Sequence, residues 1–126
     1  MSGYNGKLKD GREVFIPHWP ASVSLENLAK AGQCIGTSAL IQISELNTPA
    51  VIIALADAKD SAATVGLIKH FVCSMRIEGK KIDASEFDEL FSGNLGDIPE
   101  LFATVVHAQY FDFFASGLAK APSPSN

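Results

Sequence analysis

Cysteine is nearly missing from this chain of 126 residues, with only Cys34 and Cys73 present. Two cysteines set far apart make neither a disulfide framework nor a C-x-x-C site. Both lie in apolar sequence, where a reduced, buried thiol is the ordinary state. Basic runs are missing as well. Ten Lys and Arg are scattered against fourteen Asp and Glu, the net charge is -4, and the longest basic run is Lys80-Lys81. A surface for the phosphates of nucleic acid needs clustered cations, so nucleic acid is not expected as a partner. The chain also lacks a long uninterrupted apolar run. Its most apolar region, Ala39 to Ala58, is broken by Glu45, Pro49 and Asp57, whereas a bilayer span wants roughly 20 apolar residues. The opening MSGYNGKLKDG has no apolar h-region of a secretory signal, which together with the reduced thiols gives an intracellular reading. Finally, no glycine pattern forms a dinucleotide or Walker-type loop, and no serine sits in a G-x-S-x-G elbow.

What is present is an ordinary globular composition, 47% hydrophobic and 19% charged, in a length that suffices for one core without metal or disulfide staples. Residues 1–120 read as a single domain and the Pro/Ser-rich residues 121–126 as a flexible tail. The expected fold is mainly α (α+β): a small bundle of four to five helices over residues 22–118, led by a β-hairpin over residues 4–16. Asp10-Gly11 marks the hairpin turn. A three-residue loop with a bulge at Gly11 sets Leu8 against Arg12, Gly6 against Val14 and Tyr4 against Ile16. That register gathers Tyr4, Leu8, Val14 and Ile16 on one side. A strict two-residue turn would mix the faces.

Pro17 and Pro20 stop the ladder. Ser22 or Ser24 can cap a helix from about Leu25 to Cys34 or Ile35, with Leu25, Leu28, Ala29 and Ile35 as its apolar face. Ala39 to Leu46 fits a short helix, although Ile41 and Ile43 also alternate. Thr48 as cap and Pro49 at the first helical position open the next helix, whose apolar stripe (Val51, Ile52, Leu55 and Ala58, widened by Ile53 and Ala56) predicts deep burial. Asp60-Ser61 caps a helix from Ala62 to about Arg76, facing inward through Val65, Ile68, Phe71, Val72 and Met75. Ile77 and Ile82 flank a Glu78-Gly79-Lys80 turn and a small hairpin. Asp83 or Ser85 caps a short helix carrying Phe87, Leu90 and Phe91. Asp97 caps the last helix, with Pro99 in its first turn and Leu101, Phe102, Val105, Val106, Gln109, Phe113 and Gly117 on its inner face.

Candidate chemistry is thin. His70 and Cys73 share a helix face, but zinc needs three or four ligands and no further His/Cys pair exists. They read as flank residues. His107 has no identifiable carboxylate partner and reads as a structural histidine. Glu86, Asp88 and Glu89 sit where a helix N-terminus favours negative charge, by roughly 0.3–1 kcal/mol. No catalytic residue, metal or cofactor is expected, and the protein is not read as an enzyme.

The anomaly is aromatic. Six of eight phenylalanines fall between Ile82 and Phe114, and Tyr110, Phe111, Phe113 and Phe114 crowd the end of the last helix. Helical neighbours differ by about 100°, so four such side chains cannot share one core-facing stripe. Phe113 is assigned to the core with Phe87, Phe91 and Phe102. Tyr110, Phe111, Phe114 and Leu118 are assigned to a surface for a partner or for self-association.

Several segments resemble the tail assembly chaperones of long-tailed bacteriophages. They are Gly79-Lys80-Lys81-Ile82, Phe87-Asp88-Glu89-Leu90-Phe91, Gly93-Asn94-Leu95-Gly96-Asp97 and the ending Tyr110-Phe111-Asp112-Phe113-Phe114. The opening LKDGREVFIPHW is similar to the short hairpin that leads into the helical bundle of that family. The resemblance implies a protein that binds the long, mostly helical tape measure protein, helps recruit tail tube protein, and works in the host cell cytoplasm without remaining in the mature virion. A permanent structural subunit of a tail or baseplate is the alternative.

Overall fold

The computed structural model describes residues 2–119. The hairpin forms first along the chain. Strands β1 (Gly3–Lys7) and β2 (Glu13–Pro17) pair antiparallel with Tyr4 opposite Ile16 and Gly6 opposite Val14. Gly11, at φ 94°, takes the left-handed conformation that a three-residue bulged loop requires, and the Leu8 amide donates to the Arg12 carbonyl at 2.9 Å. Leu8, Val14 and Ile16 are buried and Tyr4 packs against them, so the expected register is the observed one. Further on, the two-residue strands β3 (Arg76–Ile77) and β4 (Lys80–Lys81) join through Glu78 and Gly79, both at positive φ. That is the type I′ geometry which suits strand twist. Strand β3 pairs with β2, so the two hairpins merge into one sheet of order β1-β2-β3-β4.

Between and after the hairpins come α1 (Ala21–Ile35), α2 (Thr37–Ser44), α3 (Thr48–Ala56), α4 (Ser61–Val72), a 3-10 turn (Ala84–Glu86), α5 (Phe87–Phe91) and α6 (Asp97–Ala119). The architecture is mainly helical α+β with N-terminal antiparallel strands, as expected, and it contains six α-helices among the described residues. Asp60 caps α4 as read from sequence, its side chain accepting from the Ala63 amide. Asn47, one residue before the expected Thr48, caps α3 by accepting from the Ala50 amide. Helix α1 starts directly after Pro20 without a side-chain cap, four residues earlier than the leucine pattern suggests.

Helix α6 is the axis of the molecule. Every residue from Leu101 to Val106 is buried, because α6 is apolar on all sides and is enclosed by other elements. Helices α2, α3 and α4 pack along it, and the N-terminal hairpin is tied to it at both ends. At the hairpin tip the Arg12 guanidinium reaches Asp97 at 3.2 Å and the Lys9 amide donates to Glu100 at 2.7 Å. At the other end the Gln109 side chain donates to the Pro17 carbonyl at 2.8 Å and accepts from the Trp19 amide at 3.3 Å. These spans agree: Asp97 to Gln109 rises about 18 Å along a helix, and Arg12 to Pro17 extends about 17 Å along a strand.

Three burial expectations are corrected. Helix α4, which ends at Val72 and not near Arg76, faces inward through Thr64, Leu67, Ile68, Phe71 and Val72, while Val65, expected on that face, is 52% exposed. Helix α3 is not deeply buried. Only Ala50 and Val51 are fully buried, Leu55 packs against the core half-buried, and Ile52 and Ile53 are 56% and 60% exposed. A short helix lying against α6 on one side has no second layer to cover its outer face. Helix α1 does not pack through Leu25, which is exposed. Asn27 and Ala31 are its buried residues, an i, i+4 pair of smaller side chains that allows α1 to lie close to α4.

Candidate functional site

The helix ties end at Tyr110. Its hydroxyl donates to the Ser24 carbonyl at 2.7 Å, anchoring the first turns of α1, and its ring meets Trp19 edge-on. One turn earlier, His107 Nδ1 lies 2.9 Å from the Ser44 carbonyl at the end of α2, and its ring meets Tyr4 edge-on. Gln109 holds the base of the hairpin. Among the described residues, no side-chain hydrogen bond involves α6 beyond Tyr110. The helix nevertheless runs on to Ala119, for 23 residues in all, or about 35 Å. Its last two turns therefore project past the elements that wrap it.

This placement sorts the aromatic cluster differently from the sequence. Tyr110, assigned to the surface, is 3% exposed, and burial pushes its phenol up to about 12 despite the hydrogen bond to Ser24. Phe113, assigned to the core, is 54% exposed. Its inward partners would have to lie beyond the ends of α1 and the hairpin, where the wrapping has stopped. Phe111 and Leu118 are exposed, at 37% and 55%, as expected. Phe114 is half-buried, packing toward Tyr110 with ring centroids 6.2 Å apart. Phe87, Phe91 and Phe102 are core, as expected.

Phe111, Phe114, Ala115 and Leu118 stand at i, i+3, i+4 and i+7, one continuous stripe on the projecting helix. Phe113 lies about 100° further round the helix beyond Phe114, its ring centroid 5.9 Å from that of Phe114, so it shares with Asp112 and Ser116 the face away from the stripe. Such a stripe without an enclosing layer is the form in which one helix offers itself to another.

A second apolar surface was not anticipated. Near the N-terminus of α6 a groove of about 550 Å³ opens between α3, α4 and α5. Ile52 and Leu55 form its α3 wall, Val65 and Ile68 come from α4, and Phe87 and Ile98 supply the floor with Pro99. Leu95, 70% exposed, stands at its mouth. Asp88 is the one titratable group in this lining. Part of the signal is in the sequence: α3 carries apolar residues all round, and its packing against α2, α4 and α6 leaves one side of it open.

Elsewhere the chemistry is sparse. A hollow of about 690 Å³ beside Trp19 gathers His70, Cys73, Arg76, Lys81 and Asp83. Burial raises the Cys73 thiol above its ordinary range, the opposite of what a nucleophilic cysteine requires. The Asp83 carboxylate is occupied by the Ser85 amide and hydroxyl, at 2.9 and 2.8 Å. Among the described residues there is no group of three or more His, Cys, Asp or Glu that could hold a metal ion, and no helix is long and apolar enough to cross a membrane. Residues 121–126, expected to form a flexible tail, lie outside the described residues.

A family model described as phage tail assembly chaperone protein, TAC, matches residues 10–120. No curated protein and no solved structure matches the chain.

Proposed function

The chain belongs to the phage tail assembly chaperone family, which gives it a role in tail assembly, and we propose that it performs that role by holding the tape measure protein against the projecting end of α6. The reading rests chiefly on one observation. Phe111, Phe113 and Leu118 lie exposed on a helix that outruns its own bundle. A long, mostly helical client with apolar seams is insoluble until those seams are covered. A projecting helix with an i, i+3, i+4, i+7 stripe covers such a seam by helix pairing, through apolar area and no preorganised polar pocket. Bringing tail tube subunits to the complex is the second part of the proposed role. The protein acts by binding rather than by catalysis, in the cytoplasm of the host cell, and departs before the virion matures.

Co-expression with the tape measure protein tests this. The wild-type chain is expected to yield a soluble complex. A Phe111→Ser/Phe113→Ser/Leu118→Ser variant is expected to remain folded, because these side chains contribute little to the core, and to leave the tape measure protein insoluble. A folded triple variant that still forms the complex would remove the α6 stripe from the account. Detection of the protein in purified mature virions would replace the chaperone reading with that of a permanent tail subunit.

A further inference from the structure

We propose that β1 is a self-pairing edge, through which two copies of this chain join antiparallel about a two-fold axis at Asn5 and merge their sheets into one. The interface is separate from the projecting end of α6. Strand β1 is the outer strand of the sheet, with β2 on one side only. The bonds that bracket the hairpin show which way its backbone points. The Leu8 amide donates to Arg12 and the His18 amide to Ser2. By the alternation of an antiparallel ladder, Tyr4 and Gly6 then also face β2, while Gly3, Asn5 and Lys7 turn their amides and carbonyls outward. Among the described residues no hydrogen bond reaches those three amides. Asn5 and Lys7 are exposed, and the strand holds no proline or bulge of the kind that closes an edge. The opposite edge is closed: β4 has two residues, both lysine.

The residues of β1 select the occupant. When Asn5 meets Asn5 of the second copy, Gly3 falls opposite Lys7 and Tyr4 opposite Gly6, so each large side chain faces a glycine. The outward groups of both strands are then all paired, in a ladder of about six hydrogen bonds. On one face the Phe15 ring already lies over Gly3, and the stem and ammonium of the incoming Lys7 meet that ring. On the other face the Tyr4 ring lies over its own Gly6, which sets the two Tyr4 rings side by side across the axis. Charge sets the direction. Antiparallel pairing keeps the two Lys7 about 14 Å apart along the strands, beyond strong repulsion at physiological salt. Parallel pairing in register would stack them. Strands of five residues bury less than a standard interface, so dissociation at roughly 0.1 mM is expected.

Sedimentation equilibrium of the full chain from about 10 μM to about 1 mM tests this. The mass is expected to rise from 13.4 kDa toward twice that value. Asn5→Lys and Asn5→Glu place like charges directly opposite at the axis and should each weaken self-association several-fold, and an equimolar mixture of the two should restore it. Asn5→Pro removes an amide that β2 does not use and should abolish association, with the fold checked by circular dichroism. Amide exchange followed residue by residue by NMR should show Asn5 and Lys7 gaining protection as concentration rises, with Tyr4 and Gly6 protected throughout. A chain that stays monomeric across the whole range, a mixture no tighter than its components, or association indifferent to the Asn5 variants would overturn the proposal. So would association that only Phe111→Ser/Phe113→Ser/Leu118→Ser abolishes, which would place it on the end of α6. Protection of Asn5 and Lys7 that appears only when another protein is added would also overturn it, and would give the edge to a strand of that partner.

Discussion

Tyr110→Ala and Phe113→Ala, three residues apart on α6, should differ sharply in cost. Tyr110 is buried against Trp19 and tied to Ser24. Truncating it removes a large aromatic ring from an enclosed site and leaves a cavity, a change worth roughly 3–5 kcal/mol. About 1 kcal/mol of that belongs to the hydroxyl, whose bond to the Ser24 carbonyl is lost. Tyr110→Phe isolates this part. Phe113 keeps 54% of its surface in water. A fully buried phenylalanine gains about 1.5–3 kcal/mol from burial, so a half-exposed one contributes roughly 1 kcal/mol, with no cavity to add because the site opens to solvent. Urea denaturation followed by circular dichroism gives both values from midpoint shifts at constant slope. Tyr110→Ala costing several-fold more than Phe113→Ala supports the assignment of these residues. Equal costs, or Phe113→Ala as the worse of the two, would mean that the end of α6 folds back into the core and has no free surface to offer.

Thr64→Val should stabilise the protein. The Thr64 hydroxyl is buried at the packed face of α4 without a hydrogen-bond partner, and removing it relieves about 1 kcal/mol of uncompensated desolvation, read as a rise in Tm of roughly 4 °C; a fall in Tm would reveal a partner for that hydroxyl. Tyr110 should also give the fold an alkaline limit. Its phenol titrates at about 12 when folded and near 10 when unfolded. Between those values the unfolded chain has lost a proton that the folded one keeps, so stability is fully present below pH 10 and declines, by roughly 2 kcal/mol, as pH rises through 12. Tyr110→Phe should abolish that decline in a pH series of urea melts, and an unchanged profile would assign it to another group.

Local structure was legible wherever a single residue dictates the backbone. Gly11 chose the hairpin register, since only the bulged loop put Leu8, Val14 and Ile16 on one face. Pro49 and Asp60 marked the starts of α3 and α4 to within a residue. Faces were less legible where apolar residues surround a helix. In α6 the pattern is consistent with burial on every side, so periodicity could not say which of Tyr110 and Phe113 points inward. That was decided by where α1 and the hairpin end, a tertiary fact. In α3 the same all-round apolarity suggests deep burial, yet α2, α4 and α6 cover only part of its circumference and leave Ile52 and Ile53 outside. The groove that Ile52 helps to line is built from α3, α4, α5, the start of α6 and the loop before it, and only their assembly brings Ile52, Val65, Asp88 and Leu95 together.

Hydrogen exchange across α6, with and without the tape measure protein, tests the central claim most directly. In the free chain the amides of Phe111 to Leu118 should exchange quickly, because these turns have few buried contacts, while Leu101 to Val106 should exchange at rates near global unfolding. On complex formation, protection should rise strongly over Phe111 to Leu118 and stay unchanged over Leu101 to Val106. A complex that forms while Phe111 to Leu118 remain as exchangeable as in the free chain would contradict the account.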